Sequence, residues 1–183
     1  MATYTEYLDF DTEEDKLKQQ QLYQATELSA QTAAAVKKIS RPQNWLLAAA
    51  PYCPDCRVFV PFIQKMAELN PNISVNYIAR NDFDDSSRFD NPRQQEIVRT
   101  NQKIPALFLI GHEEAGPVFS EFPQVVLNQI AADETRRTEL RDAYRAGEFN
   151  SDVEAQIVAA LAWAEPALLS KYCRCVKPCF EPL

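Results

Sequence analysis

Ala48-Ala49-Ala50-Pro51-Tyr52-Cys53-Pro54-Asp55-Cys56-Arg57 joins two patterns. Before it, Trp45 to Pro51 is a short, mostly apolar run that suits a buried strand. After it, Val58, Phe59, Phe62, Ile63, Met66 and Leu69 form an apolar stripe, which predicts a helix from about Pro54 to Leu69. Pro54 suits the first helical position. Such a strand-to-helix turn places Cys53 at a helix start. Unpaired backbone N–H groups and the positive end of the dipole favour a negative sulfur there, and the thiolate is the reactive form of cysteine. Cys56 lies one turn further on and is able to close a disulfide without unwinding the helix. Two charges flank the pair: Asp55 opposes a thiolate, Arg57 offsets it, and residue order alone does not rank the two.

Working outward, Asn70-Pro71-Asn72 ends the helix, and Ile73 to Ile78 alternates strictly, as a half-exposed or edge strand does. Together these form a βαβ unit with a right-handed crossover. Arg80 to Asn91 reads as a polar loop, with acidic residues at 82, 84, 85 and 90 in no metal-ligand spacing. A helix from about Pro92 to Asn101 follows. Ala106 to Ile110 is a second apolar strand, entered through Ile104-Pro105, and a turn over 111–116 returns the chain into a strand over Val118 to Phe122. Gln124 to Tyr144 reads as one helix with a charged middle. Arg136, Arg137, Arg141 and Arg145 are expected on its solvated face. Ser151 and Glu154 have the spacing of a capping box opening a last helix, with Val153, Ile157, Leu161 and Ala164 on its stripe and Pro166 near its end. Upstream, residues 1–12 are polar, acidic and expected to be irregular or loosely docked. Glu13 to Ile39 predicts one long amphipathic helix or two shorter ones. The sum is an α/β chain with a mixed central sheet of about four strands, helices on both faces and extra helices at both ends. It is organised as one domain over 1–183, with a core at about 44–145, an N-terminal extension over 1–40, and a C-terminal helix and cysteine-bearing tail over 151–183.

Composition narrows the function. Of 183 residues, 46% are apolar and 25% charged, the balance of an ordinary globular protein. A net charge of −7 argues against nucleic acid or an anionic membrane as partner. No apolar run approaches a membrane span and no signal peptide is apparent, so the expected compartment is the cytoplasm. Structural disulfides are rare there, which turns paired cysteines toward redox chemistry or metal binding. A Cys-x-x-Cys beside a βαβ pattern is the redox signature, whereas a zinc site needs about four ligands. Cys53 is the expected exposed nucleophile, and Cys56 the more buried sulfur that resolves the mixed disulfide.

The same residues resemble the thioredoxin family. There an aromatic residue precedes the first cysteine and a kinking proline follows it by eight positions, the places of Tyr52 and Pro61. Ile104-Pro105 before an apolar strand matches the family's cis-proline, which faces the active disulfide and shapes the groove for the substrate chain. The Cys-Pro-Asp-Cys form is similar to small thioredoxin-related cytosolic reductases, and the 80–91 loop to bacterial thioredoxin-like proteins. The resemblance covers about 44–145. It implies a thioredoxin-like fold and a thiol–disulfide oxidoreductase acting through Cys53 and Cys56. Tyr52, Ile104 and Pro105 would contact substrate, and Pro54, Asp55, Arg57 and Pro61 would support the site. It implies no metal and no organic cofactor, a protein or small-molecule disulfide as substrate, and a reductase or low-molecular-weight thiol as electron donor. The chain also departs from the family: Tyr52 replaces Trp, Pro54-Asp55 replaces Gly-Pro, and Leu47 stands where a buried acid moves a proton for the buried thiol. That last change favours a second reading, a binding or adaptor module with little turnover. In the tail, Cys173, Cys175 and Cys179 leave three readings open: a second dithiol, part of a metal site, or free thiols. The only histidine, His112, reads as a solvated turn residue.

Overall fold

Trp45, Leu46, Leu47 and Ala48 are fully buried, which is why an unbroken apolar run rather than an alternating one became the central strand. The computed structural model describes residues 1–112 and 116–164, so the tail cysteines lie outside the described residues. The central strand, β1 (Gln43–Ala48), leads into α4 (Pro54–Leu69) and then β2 (Ile73–Ile78), which pairs with it in parallel. After α5 (Pro92–Asn101), β3 (Ala106–Leu109) pairs antiparallel with the other side of β1, and β4 (Phe119–Ser120) pairs antiparallel with β3. The sheet order is β2-β1-β3-β4, so β2 is an edge strand, as its alternation predicts. Phe59 of α4 stacks on Phe119 of β4, with ring centroids 3.8 Å apart, and ties the helix after the cysteines to the far strand. The 80–91 stretch contains two short 3₁₀ turns. Its acidic residues face arginines: Asp82 and Asp85 lie near Arg88, and Asp84 near Arg99.

Four expectations are corrected or sharpened. Residues 1–12 are not loose. They hold α1 (Tyr4–Leu8), opened by a Thr3/Glu6 capping box, and Tyr7 is fully buried with its ring 4.9 Å from that of Tyr77. The acidic composition hides Tyr4 and Tyr7, three apart and so on one side of α1, with Phe10 just past its end against the Tyr7 ring. Ala2 also exchanges two backbone hydrogen bonds with Tyr77, covering the open edge of β2. The 13–39 stretch is two helices, α2 (Glu13–Ala25) and α3 (Ala30–Val36), because Ser29 starts a new one by accepting from the Thr32 N–H.

The predicted helix over 124–144 is likewise two, α6 (Gln124–Ala132) and α7 (Arg137–Arg145). Asp133 divides them: its carboxylate accepts from the Thr135 N–H at 3.0 Å and hydroxyl at 2.6 Å, a local turn that competes with the helix ladder. The capping box at 151–154 does not form. The last helix, α8 (Asn150–Ala164), begins before Ser151. Glu154 instead turns inward and accepts from the Ser29 N–H at 2.9 Å and hydroxyl at 2.7 Å, holding the start of α3. Glu154 is only 7% exposed, and its replacement removes a charged acceptor shared by two hydrogen bonds. Glu154→Ala is expected to lower stability by about 1–3 kcal/mol in urea denaturation, and a loss below about 0.5 kcal/mol, the range of an ordinary surface change, would show that the contact carries no weight.

Candidate active site

Cys53 is the N-cap of α4. Its backbone is extended, and its Sγ accepts from the Cys56 N–H at 3.4 Å, one of the donors a helix start leaves unpaired. Pro54 occupies the first turn, where no donor is lost, and Pro61 is buried within the helix. Both sulfurs are free thiols. Cys56 is fully buried, while Cys53 keeps 8% of its surface. The difference has an electrostatic counterpart. A hydrogen bond from the Cys56 thiol holds the Cys53 thiol below its usual range, aided by the Cys56 and Asp55 N–H groups and opposed by burial and by the Asp55 charge. Burial pushes the Cys56 thiol well up, and its neighbour's sulfur adds to this. The two cysteines therefore differ in acidity, but Cys53 is buried as well, which corrects the expectation of an exposed sulfur: its place at the helix start packs it against the core. Tyr52 beside it is 44% exposed, a large apolar surface at the mouth of the site.

The turn is gripped from the N-terminal side. The Tyr52 N–H donates to the Asp11 carboxylate at 3.2 Å. Arg57 donates through Nε to the Pro51 carbonyl at 2.7 Å, and its guanidinium pairs with Asp15. Gln19 donates to the Arg57 carbonyl at 3.4 Å and accepts from the Tyr7 hydroxyl at 2.9 Å. Arg57 is thus taken up by α2, and the Asp55 charge is met from another quarter. Arg145, at the end of α7, donates to the two Asp55 oxygens at 2.7 and 3.1 Å. This corrects the reading of four arginines on one solvated face. Arg136 pairs with Glu139, Arg137 with Glu134 and Arg141 with Asp142, but Arg145 belongs to the site. The sequence does hold a signal for it. Leu140 and Tyr144 are the buried stripe of α7, so the residue after Tyr144 flanks the core. Asp11 and Asp15 carry no such signal.

Ile104 and Pro105 are buried, and the peptide bond between them is cis. Ala48 pairs with Ala106, so this bond and the cysteine turn lie at the same end of the sheet. Leu47 is fully buried and pairs with Leu107 of β3, so its side chain offers the site no proton acceptor.

A family model described as thioredoxin matches residues 1–137, which takes in α1 to α3 as well as the sheet. No curated protein matches. Among solved structures, a 1.5 Å crystal structure of a protein of unknown function from Pseudomonas aeruginosa is similar, with a TM-score of 0.57 and 24% identity over 91% of this chain and 99% of that one. An HIV epitope-scaffold is similar at a TM-score of 0.58 and 21% identity, over 89% of this chain and 99% of its own. At these identities the two structures bear on the fold alone. Among the described residues no helix is long and apolar enough to cross a membrane. Because the family match runs through the cysteine turn, the cis-proline strand and three quarters of the length, this chain belongs to the thioredoxin family.

Proposed function

We propose that this protein is a thiol–disulfide oxidoreductase working through Cys53 and Cys56. The observation that carries the reading is the asymmetry of the pair: Cys53 caps α4 with its sulfur on a backbone N–H, while Cys56 is wholly buried beneath it. The Cys53 thiolate attacks one sulfur of a substrate disulfide. A bond forms between Cys53 and that sulfur, the substrate S–S bond breaks, and the departing sulfur takes a proton. Cys56 then loses its proton and attacks Cys53, which releases the second substrate thiol. The substrate gains two electrons, and the protein is left with a Cys53–Cys56 disulfide. A separate reductase or a low-molecular-weight thiol restores the dithiol, as in a cytoplasm that keeps thiols reduced. Tyr52 offers apolar contact beside Cys53, and Ile104 and Pro105 border the groove from the sheet.

One observation favours the alternative, a binding or adaptor module with little turnover: at Leu47 there is no carboxylate to take the proton from Cys56. Reduction of a model protein disulfide by the reduced wild type and by Cys53→Ser separates the two. The oxidoreductase reading requires wild-type turnover well above that of the variant, and equal rates at background would reject it.

A further inference from the structure

The residue between the cysteines is held from α7 by two consecutive side chains. The Tyr144 hydroxyl donates to the Asp55 carbonyl at 3.3 Å, and Arg145 binds the Asp55 carboxylate through two nitrogens. Two-point pairing of a guanidinium with a carboxylate fixes orientation as well as charge. Both partners are largely withdrawn from water, at 32% exposure for the Arg145 side chain and 13% for Asp55, so solvent screens the pair less than it would an ordinary surface bridge. Tyr144 is itself fully buried, and its ring meets Phe122 edge-on at 5.4 Å, which anchors this end of α7 to the chain just after β4.

We propose that Arg145 is a positioning residue for Cys53: by holding and neutralising the Asp55 carboxylate, it keeps a negative charge inside the Cys-Pro-Asp-Cys turn from opposing the thiolate. The Asp55 charge opposes the Cys53 thiolate, and Arg145 is held protonated first by its hydrogen bonds to Asp55 and then by the Asp55 and Cys53 charges. The other groups around the sulfur do not supply this compensation. Cys56 from α4, Tyr7 from α1 and Tyr144 from α7 are buried and held neutral, each with its proton loss made harder by burial. Tyr52 lies on the adjoining turn and interacts with Arg80. Arg57 is engaged with Asp15 and the Pro51 carbonyl, and Asp11 with the Tyr52 N–H. Arg145 is therefore the cation placed to answer Asp55 among these neighbours.

The inference rests on Cys53 being the attacking sulfur, and its test does not require turnover, so the two can fail separately. Alkylation of the reduced full-length protein by iodoacetamide is followed against pH on the Cys53 peptide by mass spectrometry, which keeps the tail thiols apart. Arg145→Met is expected to raise the midpoint of the Cys53 profile by about one pH unit, and so to slow alkylation below the midpoint about ten-fold. Arg145→Lys, which keeps the charge, is expected to recover at least half of the shift. Asp55→Asn combined with Arg145→Met removes both charges and is expected to return the midpoint to within about 0.3 unit of the wild type. An unchanged midpoint in Arg145→Met, or an equal rise in the single and double variants, would overturn the proposal. The second result would mean that packing of α7, and not the Asp55 charge, sets the sulfur.

Discussion

Cys53→Ser is expected to bring disulfide reduction down to background, a fall of more than about a thousand-fold, while Cys56→Ser leaves a protein that reacts once and stops. The two effects differ because the sulfurs sit differently. Cys53 keeps the little surface the pair exposes, the helix N-terminus and the Cys56 N–H, so on the proposed mechanism its removal takes away the attacking atom itself. Cys56 has no exposed surface and cannot meet a folded substrate. In the proposed sequence of steps it breaks the mixed disulfide, and serine cannot do that because a neutral hydroxyl does not displace a thiolate from a disulfide at neutral pH. Cys56→Ser should therefore accumulate up to one equivalent of covalent complex on Cys53, seen by non-reducing electrophoresis and released by added dithiol. Turnover of Cys56→Ser at the wild-type rate would remove the resolving role, and covalent complex at Cys56 in Cys53→Ser would invert the order.

Leu47→Asp restores the family's acid and is expected to be costly to the fold. Leu47 is fully buried in the central strand opposite Leu107, with apolar neighbours on either side in β1. Replacing it removes packing and puts a carboxyl into an apolar layer, a loss of about 3–5 kcal/mol at neutral pH. The sign of the pH dependence follows. Burial raises the carboxyl's pKa in the folded state above its value of about 3.9 in the unfolded chain. The unfolded chain therefore gives up its proton first, and the destabilisation grows as pH rises from the unfolded value through the folded one. Urea denaturation at pH 4 and pH 7.5 checks this. A loss below about 1 kcal/mol, or one equal at both pH values, would mean that the side chain reaches water. In the protein that remains folded, the step in which Cys56 releases the mixed disulfide should speed up if the new carboxyl serves as its proton acceptor, the role the family resemblance gives to this position. If that step does not change, the missing acid is not what limits this pair.

Much of this site is legible in the order of residues alone. Trp45 to Ala48 reads as a buried strand because a run apolar on both sides has no other place to go. The helix from Pro54 to Leu69 and the strand from Ile73 to Ile78 appear with the bounds their periodicity implies. The order of the two cysteines, one at the cap and one a turn inside, follows from helix geometry. Local pattern misleads where a side chain serves a segment other than its own. Glu154 has the spacing of a local cap but reaches Ser29, 125 positions earlier. Asp133 has the look of a charged helix interior but makes a turn.

The sequence by itself determined the central strands, the helix after the cysteines and the place of Cys53 at its start, because periodicity and helix polarity act within a few residues of backbone. Only the tertiary structure decided which charges answer which. Asp55 meets Arg145 across 90 positions and Arg57 meets Asp15 across 42, although Asp55 and Arg57 are near neighbours in the chain. The reason is that a helix side chain points outward from its own axis. Two charges that share the first turn of α4 are aimed at different packing partners, and the partner is chosen by where α2 and α7 dock. That docking is set by buried groups such as Tyr7, Leu140 and Tyr144, which no local pattern around the cysteines contains.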